Sequence, residues 1–119
     1  MTNNTDELSQ SIALELRRGV IILAVLSQLE TEQYGYSLLK LLSDQGLELD
    51  QGTLYPLLRR LESQGMLQSD WRIVDDARPR RYYAISPQGR SVLAQIKTEW
   101  GSMVLTLNKM LFDKEGEPK

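Results

Sequence analysis

The chain contains no cysteine and no histidine. Without cysteine there is no disulfide framework and no thiolate chemistry. Without histidine, the commonest metal ligand and the commonest general base are both missing. Long hydrophobic runs are absent too: the longest, Val20 to Leu26, falls far short of the roughly 20 residues that cross a bilayer. The opening MTNNTDELSQ is polar and acidic, and it lacks the basic start and apolar middle of a secretory signal. Cytoplasmic residence with no membrane partner is the expectation. There is no phosphate-cradling glycine loop and no nucleophile elbow. Asp75-Asp76 is a carboxylate pair, but it sits in a turn-like stretch beside arginines and reads as solvated. No catalytic, metal or cofactor chemistry is expected, and the chain does not read as an enzyme.

What is present suits one compact domain of 119 residues with a modest core. The net charge is only −2, but it is unevenly placed. Residues 1 to 50 carry three cations against eight acids, net −5; residues 51 to 90 carry seven arginines against four acids, net +3; the remainder balances at zero. All the excess basicity lies in one block, and all of it is arginine. Such asymmetry points to an anionic partner more than the total does.

Along the chain, Asp6 or Thr5 is placed to cap a first helix, whose apolar positions run Leu8, Ile12, Leu16 and then densely from Val20 to Leu29. Tyr34-Gly35-Tyr36-Ser37 opens a second helix, stopped at Gly46. A third carries Leu54, Leu57, Leu58 and Leu61 in an i, i+3, i+4, i+7 stripe. Asp50 or Thr53 is its cap, Pro56 falls in its first turns, and Gly65 ends it. The period then changes. Met66 to Val74 and Arg81 to Ile85 read as two strands joined by the turn DDARPR, a hairpin. Ser86 caps a last helix with Pro87 at its first position. In that helix Leu93, Ile96, Trp100, Met103, Leu107 and Met110 are spaced 3, 4, 3, 4, 3, a heptad seam. Three helices, a hairpin and a long helix make a mainly α winged helix-turn-helix. Residues 1–86 form the winged unit with its N-terminal helix, residues 87–113 a C-terminal dimerisation helix, and residues 114–119 a frayed tail.

The third helix is the best candidate for a functional face. With its leucines inward, Tyr55, Pro56 and Arg59 turn wholly or partly outward, Arg59 toward a groove and Arg60 nearer phosphate, and Gln51 and Thr53 lie at the N-terminal end. In a helix-turn-helix that end enters the major groove of DNA, where hydroxyl, amide and guanidinium groups meet base edges and phosphates. On the helix alone, this reading and that of a merely solvated face stand level. The hairpin shifts the balance: Arg78, Arg80 and Arg81 flank Pro79 at its tip, placed to reach backbone or a narrow minor groove. Tyr34 and Tyr36 add hydroxyls suited to phosphate. The seam through Trp100 has three readings: a core helix packed on the first helix, a homodimer interface, or a cavity edged by Trp100 from each subunit. A strict heptad favours the dimer, which would set two recognition helices on a palindromic operator.

The runs YGYSLLKLL, GTLYPLLRRLESQGML and ARPRRYYAISPQG together resemble the PadR family of bacterial transcriptional regulators, over roughly residues 15 to 100. The resemblance implies a winged helix with a C-terminal dimerisation helix, and sequence-specific binding of double-stranded DNA, usually repression released by a small effector. The short chain, with one C-terminal helix, is similar to the compact branch of the family, which includes regulators of multidrug efflux. There a tryptophan on the dimer helix sandwiches planar lipophilic compounds. Trp100 in IKTEW looks like that residue, with Leu16, Val20, Ile96 and Val104 lining the same space by implication. Two departures stand out. Ala77 replaces a glycine common at the wing tip, and Gly19 with Arg17-Arg18 changes the rim of the implied pocket. A winged helix that binds a ligand or protein without touching DNA is the alternative reading.

Overall fold

The computed structural model describes residues 4–75 and 78–113. The elements are α1 (Asn4–Gln28), β1 (Gln33–Tyr34), α2 (Gly35–Asp44), α3 (Gln51–Ser63), β2 (Leu67–Arg72), β3 (Arg80–Ile85) and α4 (Pro87–Phe112). They form the winged helix expected from the pattern, with two revisions. The wing is a three-stranded antiparallel sheet in the order β1-β3-β2, because Gln33 and Tyr34 pair with Tyr83 and Tyr82. The first strand of the hairpin also ends at Arg72 rather than Val74, leaving Ile73 and Val74 exposed beyond the ladder. Neither Asp6 nor Thr5 caps α1. The helix already runs through both, and Asp6 and Glu7 sit in its first turn, where the helix dipole favours acids. Asp76, Ala77 and the tail at 114–119 lie outside the described residues.

The core is aliphatic and continuous. Val25, Leu26 and Leu29 of the α1 end, Leu38 and Leu42 of α2, Leu54, Leu58 and Leu61 of α3, and Leu67, Tyr83 and Ile85 of the sheet are all buried together. Leu93 of α4 joins this cluster. Leu57, expected inside, is only half-buried, at the α1 flank of α3.

Local signals explain where the helices stop and start. At Gly46 and Gly65 the backbone takes positive φ, +103° and +85°, and the next residues close back on the helix: Leu47 N–H donates to Leu42 O and Met66 N–H to Leu61 O, each at 2.9 Å. Such closures favour glycine, which has no Cβ to clash in the left-handed region. Ser86 Oγ accepts from Gly89 N–H at 2.9 Å and donates to Gly65 O at 2.6 Å, so one hydroxyl ties the α4 start to the α3 end. Gly89 packs so closely that an added Cβ would lie 2.1 Å from Met66 O, a distance that only a backbone shift could relieve.

Asp50, not Thr53, caps α3: its Oδ1 accepts from Thr53 N–H at 2.8 Å. Hydrogen bonding from Thr53 holds the Asp50 carboxyl below its usual range. A depressed folded pKa means the cap stabilises the fold above the unfolded value of about 3.9 and is lost as pH falls through the lower, folded value. Asparagine caps equally well but does not titrate. Asp50→Asn is therefore expected to lose less stability than the parent between about pH 5 and pH 2, as followed by helical circular dichroism in denaturant melts. Identical acid dependence in the two chains would exclude the linkage.

Candidate nucleic-acid interface

The α2–α3 pair approaches closely where Tyr55 lies against Gly35. A Cβ at position 35 would come within 2.5 Å of the Tyr55 ring, so glycine there allows the ring to seat. Tyr55 is half-buried, while Tyr36 beside it is 56% exposed. Gln51, Thr53, Pro56, Arg59 and Arg60 are all exposed. Successive helical residues lie about 100° apart, and the fold uses that step to separate the two arginines. Arg59 turns toward the wing. It lines a groove of about 490 Å³ that also takes in Tyr34, Tyr36, Tyr55, Arg80 and Arg81. Arg60 turns the other way, into a cleft of about 340 Å³ against α1, with Thr53, Pro56 and Leu57. Gln51 stands at the exposed α3 start, and Arg78 is exposed at the wing, in the lining of neither.

The six residues Tyr34, Tyr36, Tyr55, Arg59, Arg80 and Arg81 thus converge on one groove, although they come from three separate stretches of chain. Trp71 joins them and was missed by the sequence reading. Its place follows from strand alternation. Leu67, Ser69 and Trp71 share one face of β2, and Leu67 of that face is buried in the core beside α3. Trp71 pairs in register with Arg81 and stays 63% exposed.

The arginines of this region differ in their ties. Arg72 gives two hydrogen bonds to Glu32, one of them 2.8 Å long, and a third to Asp70 at 3.3 Å. Its guanidinium pKa is raised, chiefly by the bond to Glu32, and the Glu32 carboxyl is lowered by the same bond. Arg81 Nη2 donates to Glu62 Oε1 at 2.8 Å, and its Nε donates to Ser69 Oγ at 3.0 Å. Arg80 is held by an aromatic face instead, 4.4 Å above the Tyr34 ring. Tyr34 in turn meets Tyr82 edge-on at 5.5 Å, and Arg72 covers Tyr82 at 4.8 Å. Among the described residues, no carboxylate pairs with Arg59, Arg60, Arg78 or Arg80. The groove therefore takes positive charge from both walls, Arg59 on the helix and Arg80 on the wing, with no paired carboxylate among the described residues. Burial pushes the Tyr83 phenol up, with Arg81 opposing.

Elsewhere, α1 and α4 enclose an apolar cleft of about 290 Å³ lined by Val20, Leu23, Ala24, Ser27, Leu93, Lys97 and Trp100. Val20 and Trp100 of the implied effector set meet there, whereas Leu16, Ile96 and Val104 lie outside the lining. Of the heptad seam, Leu93 is buried within the chain, and Ile96, Trp100, Met103, Leu107 and Met110 are 41–62% exposed. Among the described residues, no helix is long and apolar enough to cross a membrane, and no cluster of carboxylates suits a metal ion.

The chain is similar to known proteins over most of its length. Residues 22–95 match the model of the transcriptional regulator PadR-like family. The chain is 40% identical over 82 residues to the transcriptional regulator Rv3488 of Mycobacterium tuberculosis, covering 68% of this chain and 76% of that protein. Its structure is similar to that of a PadR family transcriptional regulator from Eggerthella lenta, with a TM-score of 0.81 and 42% identity over 91% of this chain and 96% of the other. A PadR-like regulator from Bacillus cereus matches with a TM-score of 0.74 and 28% identity, over 82% and 97% of the two chains.

Proposed function

The chain belongs to the PadR-like family of transcriptional regulators, which are not enzymes, and from that premise we propose that it acts as a homodimeric repressor on a palindromic operator. The observation that carries the proposal is the groove between α3 and the wing, with Arg59 on one wall and Arg80 on the other, neither paired with a carboxylate among the described residues. In this reading α3 enters the major groove. Thr53, Tyr55 and Arg59 meet base edges, and Gln51 and Pro56 support them at the helix start. Arg60, on the α1 flank, meets backbone, as do Tyr34 and Tyr36 through their hydroxyls. Arg78 and Arg80 of the wing reach backbone or minor groove. Pairing through α4 sets two such units on two half-sites. The large apolar surface left on a single chain supports that pairing: Trp100, Met103, Leu107 and Met110 on α4 are exposed, as are Leu8, Ile12 and Leu16 on α1.

The test is a mobility-shift titration against the DNA upstream of the protein's own gene, beside an unrelated fragment of equal length. Specific retardation that weakens with salt supports the regulator. Equal, weak binding to both fragments would leave a winged helix that serves another partner.

The α1–α4 cleft favours release by a small effector. Trp100 presents a flat apolar face beside Val20 and Leu23, and a second subunit would close the open side, with Ile96, Val104 and Leu16 at its edges. Quenching of Trp100 emission by planar lipophilic dyes, measured in a Trp71→Phe background, is the expected result. Emission unchanged at high dye excess would remove the effector from the proposal.

A further inference from the structure

Three side chains close a ring between the recognition helix and the two hairpin strands of the wing, β2 and β3. Glu62 stands on α3 one turn beyond Arg59. Its Oε1 accepts from Arg81 Nη2 at 2.8 Å, and its Oε2 accepts from Ser69 Oγ at 2.7 Å. Ser69 Oγ in turn accepts from Arg81 Nε at 3.0 Å. Every oxygen in the ring is used, and the members come from α3, β2 and β3. All three are partly shielded from water, so the bonds are stronger than at an open surface. The Arg81 guanidinium also lies 5.7 Å from the Trp71 ring and 5.6 Å from the Tyr83 ring, which border the DNA-facing groove.

We infer that Glu62, Ser69 and Arg81 form a clamp that sets the wing against α3, and that Arg81 is a positioning residue rather than a phosphate ligand. The inference rests on the DNA-binding reading and deepens it. Arg59 and Arg80 sit on opposite walls of the groove, and their spacing must match features of one duplex. The last pair of the ladder is Arg72 with Arg80, so the position of Arg80 is decided by the strands that the clamp holds. The clamp also solves an electrostatic problem. A bare carboxylate at position 62 would repel phosphate; Arg81 neutralises it and is neutralised by it.

The sign of one substitution separates the clamp from simple charge. Removing a negative charge beside a DNA-binding groove should, by charge alone, tighten binding. The clamp requires the reverse: Glu62→Ala weakens binding to the upstream fragment about tenfold, the scale of one charge-assisted hydrogen bond. Arg81→Met weakens it by a similar factor, and the double variant is no worse than either single one, because the residues act as a unit. The salt slope of Arg81→Met stays at the parental value, whereas loss of a phosphate contact would lower it by about 0.9. Should Glu62→Ala fail to fold by circular dichroism, Ser69→Ala breaks the same ring more gently, with a smaller loss and the same unchanged slope. Tighter binding by Glu62→Ala, additive losses, or a reduced slope for Arg81→Met would each overturn the clamp.

A readout without DNA keeps this test apart from that of the regulator itself. In a Trp100→Phe background the remaining emission is from Trp71, and Glu62→Ala is expected to lower its anisotropy by freeing the wing base. Failure of the parent to retard DNA, with the anisotropy loss intact, would sink the regulator and leave the clamp standing. Unchanged anisotropy would sink the clamp.

Discussion

A chain carrying Met103→Glu together with Leu107→Glu is expected to sediment as a monomer and to bind the upstream DNA at least about a hundredfold more weakly, the usual scale of lost two-site binding. Both residues lie on the exposed seam of α4, 55% and 48% accessible in the single chain, so the substitutions leave its core untouched. A two-fold interface places each change twice. Four carboxylates would then enter an apolar seam, each costing several kcal/mol of desolvation without a partner. The heptad has no way to absorb that. Thr98→Glu is the matched control. It lies two residues beyond Ile96, about 200° around the helix and off the seam, and should remain dimeric. Sedimentation velocity decides the assembly, and circular dichroism verifies the fold. A double variant that stays dimeric would place the partner surface elsewhere, on the exposed α1 face of Leu8, Ile12 and Leu16.

Arg59→Ala and Arg80→Ala carry the second large effect, and they should differ in kind. Arg59 projects from α3 toward the groove and has no carboxylate partner among the described residues. If it reads a base edge, its loss costs roughly 1–3 kcal/mol on the operator and relaxes specificity at one position. Arg80 is stacked on Tyr34 at the wing, 4.4 Å from the ring centre. Its loss should weaken specific and unrelated fragments alike and lower the salt slope by about 0.9. The two side chains come from opposite walls with no shared partner, so the losses should add. Titrations at several salt concentrations, on both fragments, separate the two patterns. Undiminished binding by the double variant would end the DNA reading.

The parts of this molecule that were readable in sequence are the parts set by neighbours along the chain. Leu54, Leu58 and Leu61 fall on one face by helical period and are buried as expected. Gly46, Gly65 and Ser86 mark boundaries through their own backbone preferences, and the fold uses each of them so. By contrast, β1 is two residues long and carries no alternation of its own. It exists because Gln33 and Tyr34 find Tyr83 and Tyr82 about fifty positions later. Ile73 and Val74 have strand-like side chains but no ladder partner among the described residues, so local propensity overstated β2.

The candidate interface divides along the same line. Its residue types, an arginine-rich helix followed by an arginine-rich wing, and the family motifs that contain them, were set by the sequence alone, as was the heptad of α4. The helical step already divides Arg59, expected in the groove, from Arg60, expected nearer the backbone; only the tertiary structure set the wing beside the first and α1 beside the second. It also brought Trp71 into the groove and Leu93 into the core, and gave Arg81 to Glu62, 19 positions away. The physical reason is range. Helical period and capping act over three or four residues, whereas charge compensation and burial depend on which surfaces meet, and that is decided by packing between elements distant in the chain.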